Sequence, residues 1–329
     1  MKVFITRIIP ETGLKSLIDA GLEVVQWEEK RNITPQELIE TCKQFDALLS
    51  AGGKIDAHFL NECKHLKVIA LHSVGYDSVD IGEATRLNIP IGNTPGVLSK
   101  STADTAFLLM LSVSRKAFYQ HKRILKDEWN FFEPTANLGI ELHNKTIGIY
   151  GLGSIGYEMA KSCVAMYNMK IIYHNRHNNI KAEEELNAVK VSFDDLLAHS
   201  DVISVHVPLN ENTRGKFDRL VFNKMKPTSI FINTARGGIH NEEDLIEALE
   251  ERKIWGAGLD VTNPEPMRND NPLLTMPTVA VLPHIGSATQ ETRTAMSLRA
   301  AENIIAGLKG ERLPYPVNPE VYEFQSEGN

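Results

Sequence analysis

Short apolar runs alternate with amphipathic stretches along the whole chain. The runs are rich in Val, Ile and Leu, which is typical of parallel strands covered on both faces. The stretches between them carry apolar residues at helical spacing, as in PQELIETCKQF (35–45) and EEDLIEALEERK (242–253). The pattern predicts strands over residues 2–6, 22–27, 46–51, 67–71, 89–93, 146–150, 170–174, 189–192, 202–207, 229–233, 257–261 and 279–283.

The predicted strands fall into two series, and each series alternates with helices. This alternation predicts an α/β fold with two doubly wound parallel-sheet domains. We expect one long helix over 93–125 between the series and another over 288–310, stopped by Gly310. Two crossing segments imply insertion of the second unit into the first. The expected arrangement is a Rossmann-type domain (99–288) within a discontinuous flavodoxin-like domain (1–98 and 289–329).

Composition narrows the class of protein. The chain has 329 residues, of which 42% are hydrophobic and 23% charged, enough for two cores of an ordinary globular protein. A net charge of −7 gives no general nucleic-acid footprint. The three cysteines form no CxxC pair, which argues against a metal site or disulfide framework and fits a reducing cytoplasm. The N-terminal apolar run breaks at Arg7 and the run at 105–111 is short, so we expect a cytoplasmic protein without a membrane partner.

The segment GLGSIG (151–156) directly follows a predicted strand and opens a predicted helix. In that setting the first glycine permits a tight turn, the second lets a pyrophosphate approach, and the third lets the helix pack on the strand. The helix N-terminus offers N–H groups to phosphate. The motif predicts a dinucleotide site, although a methyltransferase cofactor stays possible at this point. The residues expected to bind cofactor here are Gly151, Gly153, Ser154, Ile155 and Gly156.

The end of the next strand departs from the usual pattern for such a site. An acid there would accept hydrogen bonds from the adenosine ribose and repel a 2′-phosphate. This chain has Asn175 and Arg176 instead, followed by His177. The amide removes the repulsion, the guanidinium suits a phosphate, and the imidazole could add a donor. We therefore expect NADP(H) to be preferred, with NAD(H) possible, although Arg176 could instead be a solvated surface arginine.

Three residues of complementary chemistry follow three consecutive predicted strands. Arg236, Glu265 and His284 should meet at one sheet edge, because the carboxyl ends of parallel strands face the same crevice. A histidine can transfer a proton, a carboxylate can orient it, and an arginine can bind a substrate carboxylate at two points. Singly, Glu265 could only shape a turn, His284 could be a core histidine, and Arg236 could bind carbonyls. Together they predict hydride transfer to a ketone.

These motifs resemble one known family over nearly the whole chain, the D-isomer-specific 2-hydroxy acid dehydrogenases. Within it the chain is most similar to glyoxylate/hydroxypyruvate reductases. The resemblance implies that Arg236 binds the substrate carboxylate and carbonyl, that Glu265 is the partner of the histidine, and that His284 donates the proton. It is carried by SVGYDSVD (73–80), NTPGVLSKSTAD (93–104), GLGSIG (151–156), INTARGG (232–238), AGLDVTNPEP (257–266) and LPHIGSAT (282–289).

The resemblance also implies further contacts and a partner. The cofactor would occupy the 99–288 domain, and the discontinuous domain would bind substrate. A homodimer would form through the cofactor domain, where a loop with Trp129, Phe131 and Phe132 could reach the partner's site or be buried in the contact. Further implied cofactor contacts are Pro208, Thr213, Thr234, Ala235, Asp260 and Gly286, and implied substrate contacts are the backbone of Val74 and Gly75 with Ser287 and Arg293.

The reaction expected from these observations is NADPH-dependent reduction of glyoxylate and hydroxypyruvate to 2-hydroxy acids. No metal is expected to take part. Reduction of a larger 2-oxo acid such as 2-ketogluconate is the alternative within the family. A non-catalytic corepressor that senses dinucleotide on the same scaffold is the alternative from another class.

Overall fold

A computed structural model describes residues 1–323 of the chain. The chain forms two compact units: unit 1 contains Met1–Leu98 and the residues from Ala288 on, and unit 2 contains Ser99–Ser287. Within the described part, the strands and helices in chain order are β1 (Lys2–Ile5), α1 (Glu11–Asp19), β2 (Glu23–Gln26), α2 (Pro35–Cys42), β3 (Ala47–Ser50), α3 (Ala57–Glu62), β4 (Val68–Leu71), α4 (Ile81–Arg86), β5 (Ile91–Gly92), α5 (Ser99–Ser114), α6 (Ala117–Leu125), β6 (Thr146–Tyr150), α7 (Ser154–Tyr167), β7 (Lys170–His174), α8 (Ile180–Leu186), β8 (Val189–Lys190), α9 (Phe193–His199), β9 (Val202–Val205), α10 (Arg219–Phe222), β10 (Ile230–Asn233), α11 (Glu242–Glu250), β11 (Gly256–Leu259), β12 (Val279–Val281) and α12 (Gln290–Leu308).

Unit 1 is a five-stranded parallel sheet in the order β2-β1-β3-β4-β5, which is the flavodoxin-like order. Successive β1 side chains point to opposite faces, so each face has its own core. Val3 and Ile5 belong to the core that contains residues of α1 and α12. Phe4 belongs to the core that contains residues of α2 and α3. Helices therefore cover both faces of the sheet.

Unit 2 is a seven-stranded parallel sheet in the order β12-β11-β10-β9-β6-β7-β8. The strand order reverses at β6 and β9, which is the switch point of a Rossmann-type sheet. Ile147 and Ile149 of β6 pack in a core with residues of α5 and α7. The opposite face packs around Phe217 and Phe231. This layout puts the glycine turn after β6 at the switch point, where α/β sheets bind ligands.

The predicted fold class is confirmed, and each predicted strand is present with its ends within about two residues of the predicted ones. The single long helix predicted over 93–125 is wrong. Residues 93–98 form an extended segment and a turn, and the helical part divides into α5 and α6 at Lys116, whose φ is +53°. The Ser114 carbonyl accepts a hydrogen bond from the Ile140 N–H (2.9 Å), which holds a later segment against the end of α5. Within residues 1–323, no helix combines the length and apolar character that a bilayer crossing requires.

Candidate active site

The glycine turn between β6 and α7 has the shape that a pyrophosphate needs. Gly151 has φ +98°, and a Cβ there would lie 2.6 Å from Val207 Cγ1. A Cβ at Gly156 would lie 2.7 Å from the Gly151 carbonyl oxygen, so α7 packs closely on the turn. By contrast, no heavy atom lies within 4 Å of the Cβ position of Gly153, and no side chain caps α7. The N–H groups of Ser154 and Ile155 therefore lie at the start of α7 without a side-chain cap, and a helix N-terminus of this kind suits an anionic group.

The segment after β7 contacts this turn through an amide. The Leu152 N–H donates to Asn175 Oδ1 (2.7 Å), and Asn175 Nδ2 donates to the Leu152 carbonyl (3.1 Å). Arg176 and His177 are exposed. Among residues 1–323 neither of their side chains forms a hydrogen bond or ion pair, so both are available to an external anion. The role of Arg176 and His177 at a phosphate stays a prediction, and the engagement of Asn175 with the turn was not predicted from sequence.

Glu265 and His284 are joined directly. Their Oε1 and Nδ1 atoms lie 2.6 Å apart, and the two side chains are 42% and 45% exposed, respectively. Burial by itself would raise the pKa of Glu265, but the hydrogen bond from His284 and the charges of His284 and Arg236 give a net lowering. Glu265 is therefore an anion at neutral pH. Its bond to Nδ1 leaves Nε2 as the imidazole atom that can exchange a proton.

The backbone at His284 is held in an unusual conformation. Its φ of +55° lies in the left-handed region, which costs energy for a residue with a side chain and is frequent at functional sites. The buried Asp260 holds the next two residues, because its Oδ1 accepts from the Ile285 N–H (2.7 Å) and its Oδ2 from the Gly286 N–H (2.8 Å). Burial raises the pKa of Asp260 and these two bonds oppose the rise. Asp260 was expected at the cofactor, and this supporting role was missed from sequence.

Arg236 follows β10 on a loop that a buried amide organises. Asn233 Nδ2 donates to the Arg236 carbonyl (2.9 Å), and Asn233 Oδ1 accepts from the Ala235 N–H (3.0 Å). The same Nδ2 lies 3.0 Å from His240 Nδ1. Burial lowers the pKa of His240 to about 4, so its neutral ring can accept there. This support was also missed; a polar Asn at the end of an apolar strand was its signal.

The other cofactor residues predicted in unit 2 also lie in loops that follow strands. Thr213 closes the turn after β9, because its hydroxyl donates to the Pro208 carbonyl (2.7 Å) and accepts from the Asn210 N–H (2.8 Å). Thr234 follows β10 and is buried, and its hydroxyl has no partner among residues 1–323. Gly286 accepts from the Thr102 hydroxyl at 3.2 Å. Ser287 is the last residue of unit 2.

In unit 1, the loop after β4 exposes backbone donors. Asn93 Nδ2 donates to the Val74 carbonyl (2.8 Å), and the Ser73 hydroxyl donates to the Gly75 carbonyl (2.7 Å). Within the described part of the chain, the N–H groups of Val74 and Gly75 have no acceptor. A pair of such donors suits an anion. Arg293 lies on α12 of the same unit; burial, aided by its charge, lowers the pKa of His72 to about 4.

Aromatic side chains mark the segment between α6 and β6. Trp129, Phe131 and Phe132 are 70%, 74% and 86% exposed, and the segment that carries them forms neither helix nor strand. Leu125 and Leu138 are exposed nearby in sequence. Within residues 1–323, no three His, Cys, Asp or Glu side chains lie close enough together to hold a metal ion.

The fold and the site define a class of protein, a two-unit α/β dehydrogenase with a dinucleotide-binding unit. The family model "D-isomer specific 2-hydroxyacid dehydrogenase, NAD binding domain" matches residues 107–286. A glyoxylate reductase from Thermococcus litoralis is 43% identical over 325 residues, covering 97% of each chain. A probable 2-ketogluconate reductase from Dictyostelium discoideum is 37% identical, covering 97% of this chain and 96% of that protein.

Solved structures agree. A protein from Thermus thermophilus matches with a TM-score of 0.89 and 37% identity, over 96% of this chain and 100% of that one. An NADPH-dependent glyoxylate/hydroxypyruvate reductase from Sinorhizobium meliloti, in complex with NADP and malonate, matches with a TM-score of 0.82 and 28% identity over 97% of each chain. The chain therefore belongs to the D-isomer-specific 2-hydroxyacid dehydrogenase family, as the sequence motifs predicted, and it contains an NAD(P)-binding domain.

Proposed function

We propose that this enzyme reduces glyoxylate and hydroxypyruvate to 2-hydroxy acids and prefers NADP(H). Unit 2 would be the cofactor domain and unit 1 the substrate-binding domain. The observation that carries the proposal is the 2.6 Å contact between Glu265 and His284 at the carboxyl edge of the sheet that bears the glycine turn. The names of the relatives from Thermococcus litoralis and Sinorhizobium meliloti support the substrate class.

Each residue of the candidate site has a role in this reaction. The bound reduced nicotinamide supplies hydride to the substrate's carbonyl carbon. His284 gives the carbonyl oxygen a proton from Nε2, while Glu265 holds Nδ1 and stabilises the imidazolium. Arg236 binds the substrate's carboxylate through two N–H groups. The N–H groups of Val74 and Gly75 are further donors to that carboxylate, and Ser287 and Arg293 would contact a hydroxylated substrate.

The proposal is tested with a panel of 2-oxo acids measured with both cofactors. We expect the highest kcat/KM with glyoxylate or hydroxypyruvate and NADPH. 2-Ketogluconate belongs in the panel as a second candidate substrate, because the relative from Dictyostelium discoideum bears that name. Absence of turnover with every acid in the panel would contradict the proposal.

The preference for NADP(H) depends on Arg176. We expect Arg176→Ala to weaken NADPH binding by roughly 10- to 150-fold, because one charge-assisted contact to phosphate is worth about 1.5–3 kcal/mol. NADH binding should change less than about twofold, since NADH has no 2′-phosphate. Dissociation constants from fluorescence titration check both values. Equal losses with the two cofactors would contradict the assignment of Arg176 to the phosphate.

We also propose a homodimer through unit 2 with the exposed aromatic segment in the contact. A run of exposed apolar side chains is typical of an interaction surface. We expect Trp129→Ser combined with Phe131→Ser to raise the dimer dissociation constant about 30-fold or more, as loss of an aromatic anchor does. Sedimentation equilibrium measures it. An unchanged dimer dissociation constant would contradict the placement of the aromatic segment in the dimer contact. An unchanged KM for the substrate would show that the segment does not act on the substrate.

We also propose that the enzyme acts in the cytoplasm. Cys42, Cys63 and Cys163 are buried and unpaired in the described structure. Free thiols persist in reducing compartments, which supports the cytoplasm as the site of action.

A further inference from the structure

We infer that Asn175 is a positioning residue that joins the glycine turn to the Arg176–His177 segment as one preformed site. This inference rests on the proposed function, because the site is that of the proposed NADP(H) reductase. Asn175 stands where an acid would bind the adenosine ribose, yet both ends of its amide face the backbone of Leu152. Leu152 lies between the two glycines that shape the turn, and its side chain is buried. The amide therefore acts on the turn itself.

A second amide strengthens the junction. Asn179 Nδ2 donates to the Leu152 carbonyl at 2.9 Å, so that oxygen accepts two side-chain hydrogen bonds. The Oδ1 of Asn179 meanwhile accepts from the Ala182 N–H (3.1 Å) and caps α8. Its own N–H donates to the Tyr173 hydroxyl (2.9 Å). The start of α8 is thus fixed relative to the glycine turn.

The segment 175–179 is also held from its other side, by Lys190 of β8. Lys190 Nζ, on β8, donates to the Arg176 carbonyl (3.2 Å) and to Asn178 Oδ1 (3.0 Å). Backbone and amides from 175 to 179 are therefore tied at both sides, while the Arg176 and His177 side chains stay unpaired in the described structure. A backbone held in place beside an available guanidinium and a ring N–H donor is a preorganised anion site.

An amide is the side chain that can make this junction. It donates and accepts at once, so it satisfies both the N–H and the C=O of Leu152. A carboxylate in the same place could accept from the N–H, but its second oxygen would face the Leu152 carbonyl without a proton to share. Asn175 therefore removes repulsion of a 2′-phosphate and, by the same substitution, gains a bond to the turn. On this account an acid at 175 does not convert the enzyme to NAD(H).

The test uses dissociation constants together with hydrogen exchange of the Leu152 amide in the cofactor-free protein. We expect Asn175→Ala to speed exchange at Leu152 by about tenfold or more, with Ile149 of β6 unchanged, and to weaken NADPH and NADH by a similar factor of roughly 5–50. Arg176→Ala should weaken NADPH alone and leave exchange at Leu152 unchanged. The matched control Asn178→Ala removes an amide of the same segment that bonds to Lys190 and not to Leu152, so exchange at Leu152 should stay near that of the wild type.

Asn175→Asp keeps the shape of the side chain and replaces Asn175→Ala in the binding test if the alanine variant does not fold. We expect it to weaken NADH as well as NADPH. A gain in NADH affinity, unchanged Leu152 exchange in Asn175→Ala, or a loss confined to NADPH in Asn175→Ala would each overturn the inference. If the wild type turns over no 2-oxo acid, the proposed function fails, whereas the exchange measurement still decides whether Asn175 holds the turn.

Discussion

Replacing His284 with alanine is expected to abolish reduction of 2-oxo acids while cofactor binding stays within about threefold of wild type. General acid catalysis by a positioned side chain is worth about 10²–10⁴ in rate, so kcat should fall by at least that factor. The proposed pyrophosphate and ribose sites follow β6 and β7, whereas His284 follows β12, which is why cofactor binding should persist. Steady-state kinetics and fluorescence titration of NADPH measure the two quantities.

The matched control for this prediction is Glu265→Gln. The amide keeps the size of the side chain and can still bond to Nδ1 as an acceptor, but it removes the charge that stabilises an imidazolium. We expect a smaller loss of kcat than in His284→Ala, with NADPH affinity again unchanged. A His284→Ala enzyme that retains about a tenth of the wild-type kcat would contradict the role of His284 as proton donor.

Most strands could be predicted from sequence because their runs of Val, Ile and Leu are buried on both faces, as in β3, β4, β9 and β10. The helix break at Lys116 could not, since nothing in the sequence around it resembles a stop. The break is accompanied by a hydrogen bond from Ile140, which lies far along the chain. The local pattern of apolar and polar residues around Lys116 gives no information on where the later segment at Ile140 will pack.

In the candidate site, too, some contacts could be predicted from sequence and others could not. The pairing of Glu265 with His284 could be anticipated, because adjacent parallel strands end at one edge of the sheet and the loops that follow them meet there. The partners of Asn175 and Asp260 could not be anticipated. Both side chains bond to backbone groups whose positions depend on how a loop turns, at Leu152 and at Ile285 respectively. Sequence thus indicated which residue types the chemistry needs, and geometry was required for the residues that hold them in place.

Arg236 should prove as important for the carboxylate of the substrate as His284 is for its carbonyl oxygen. Its loop is fixed by Asn233, and its charge contributes to the lowered pKa of Glu265, so the guanidinium lies near the proposed proton donor pair. We expect Arg236→Gln to lower kcat/KM for glyoxylate by roughly 10²–10⁴, since two charge-assisted hydrogen bonds to one carboxylate are worth about 3–6 kcal/mol together.

A substrate without a carboxylate separates this binding role from a general loss of structure. Glycolaldehyde has no anion for Arg236 to bind, so its slow reduction by the wild type should change less than about threefold in Arg236→Gln. Arg268→Gln is the matched control, because Arg268 lies in the same unit, pairs with Asp270 at the surface and should leave both substrates unaffected. Equal losses for glyoxylate and glycolaldehyde would mean that Arg236 supports the Glu265–His284 pair rather than the substrate. The ratio of the two losses therefore measures how much of the binding free energy of the carboxylate this one guanidinium provides.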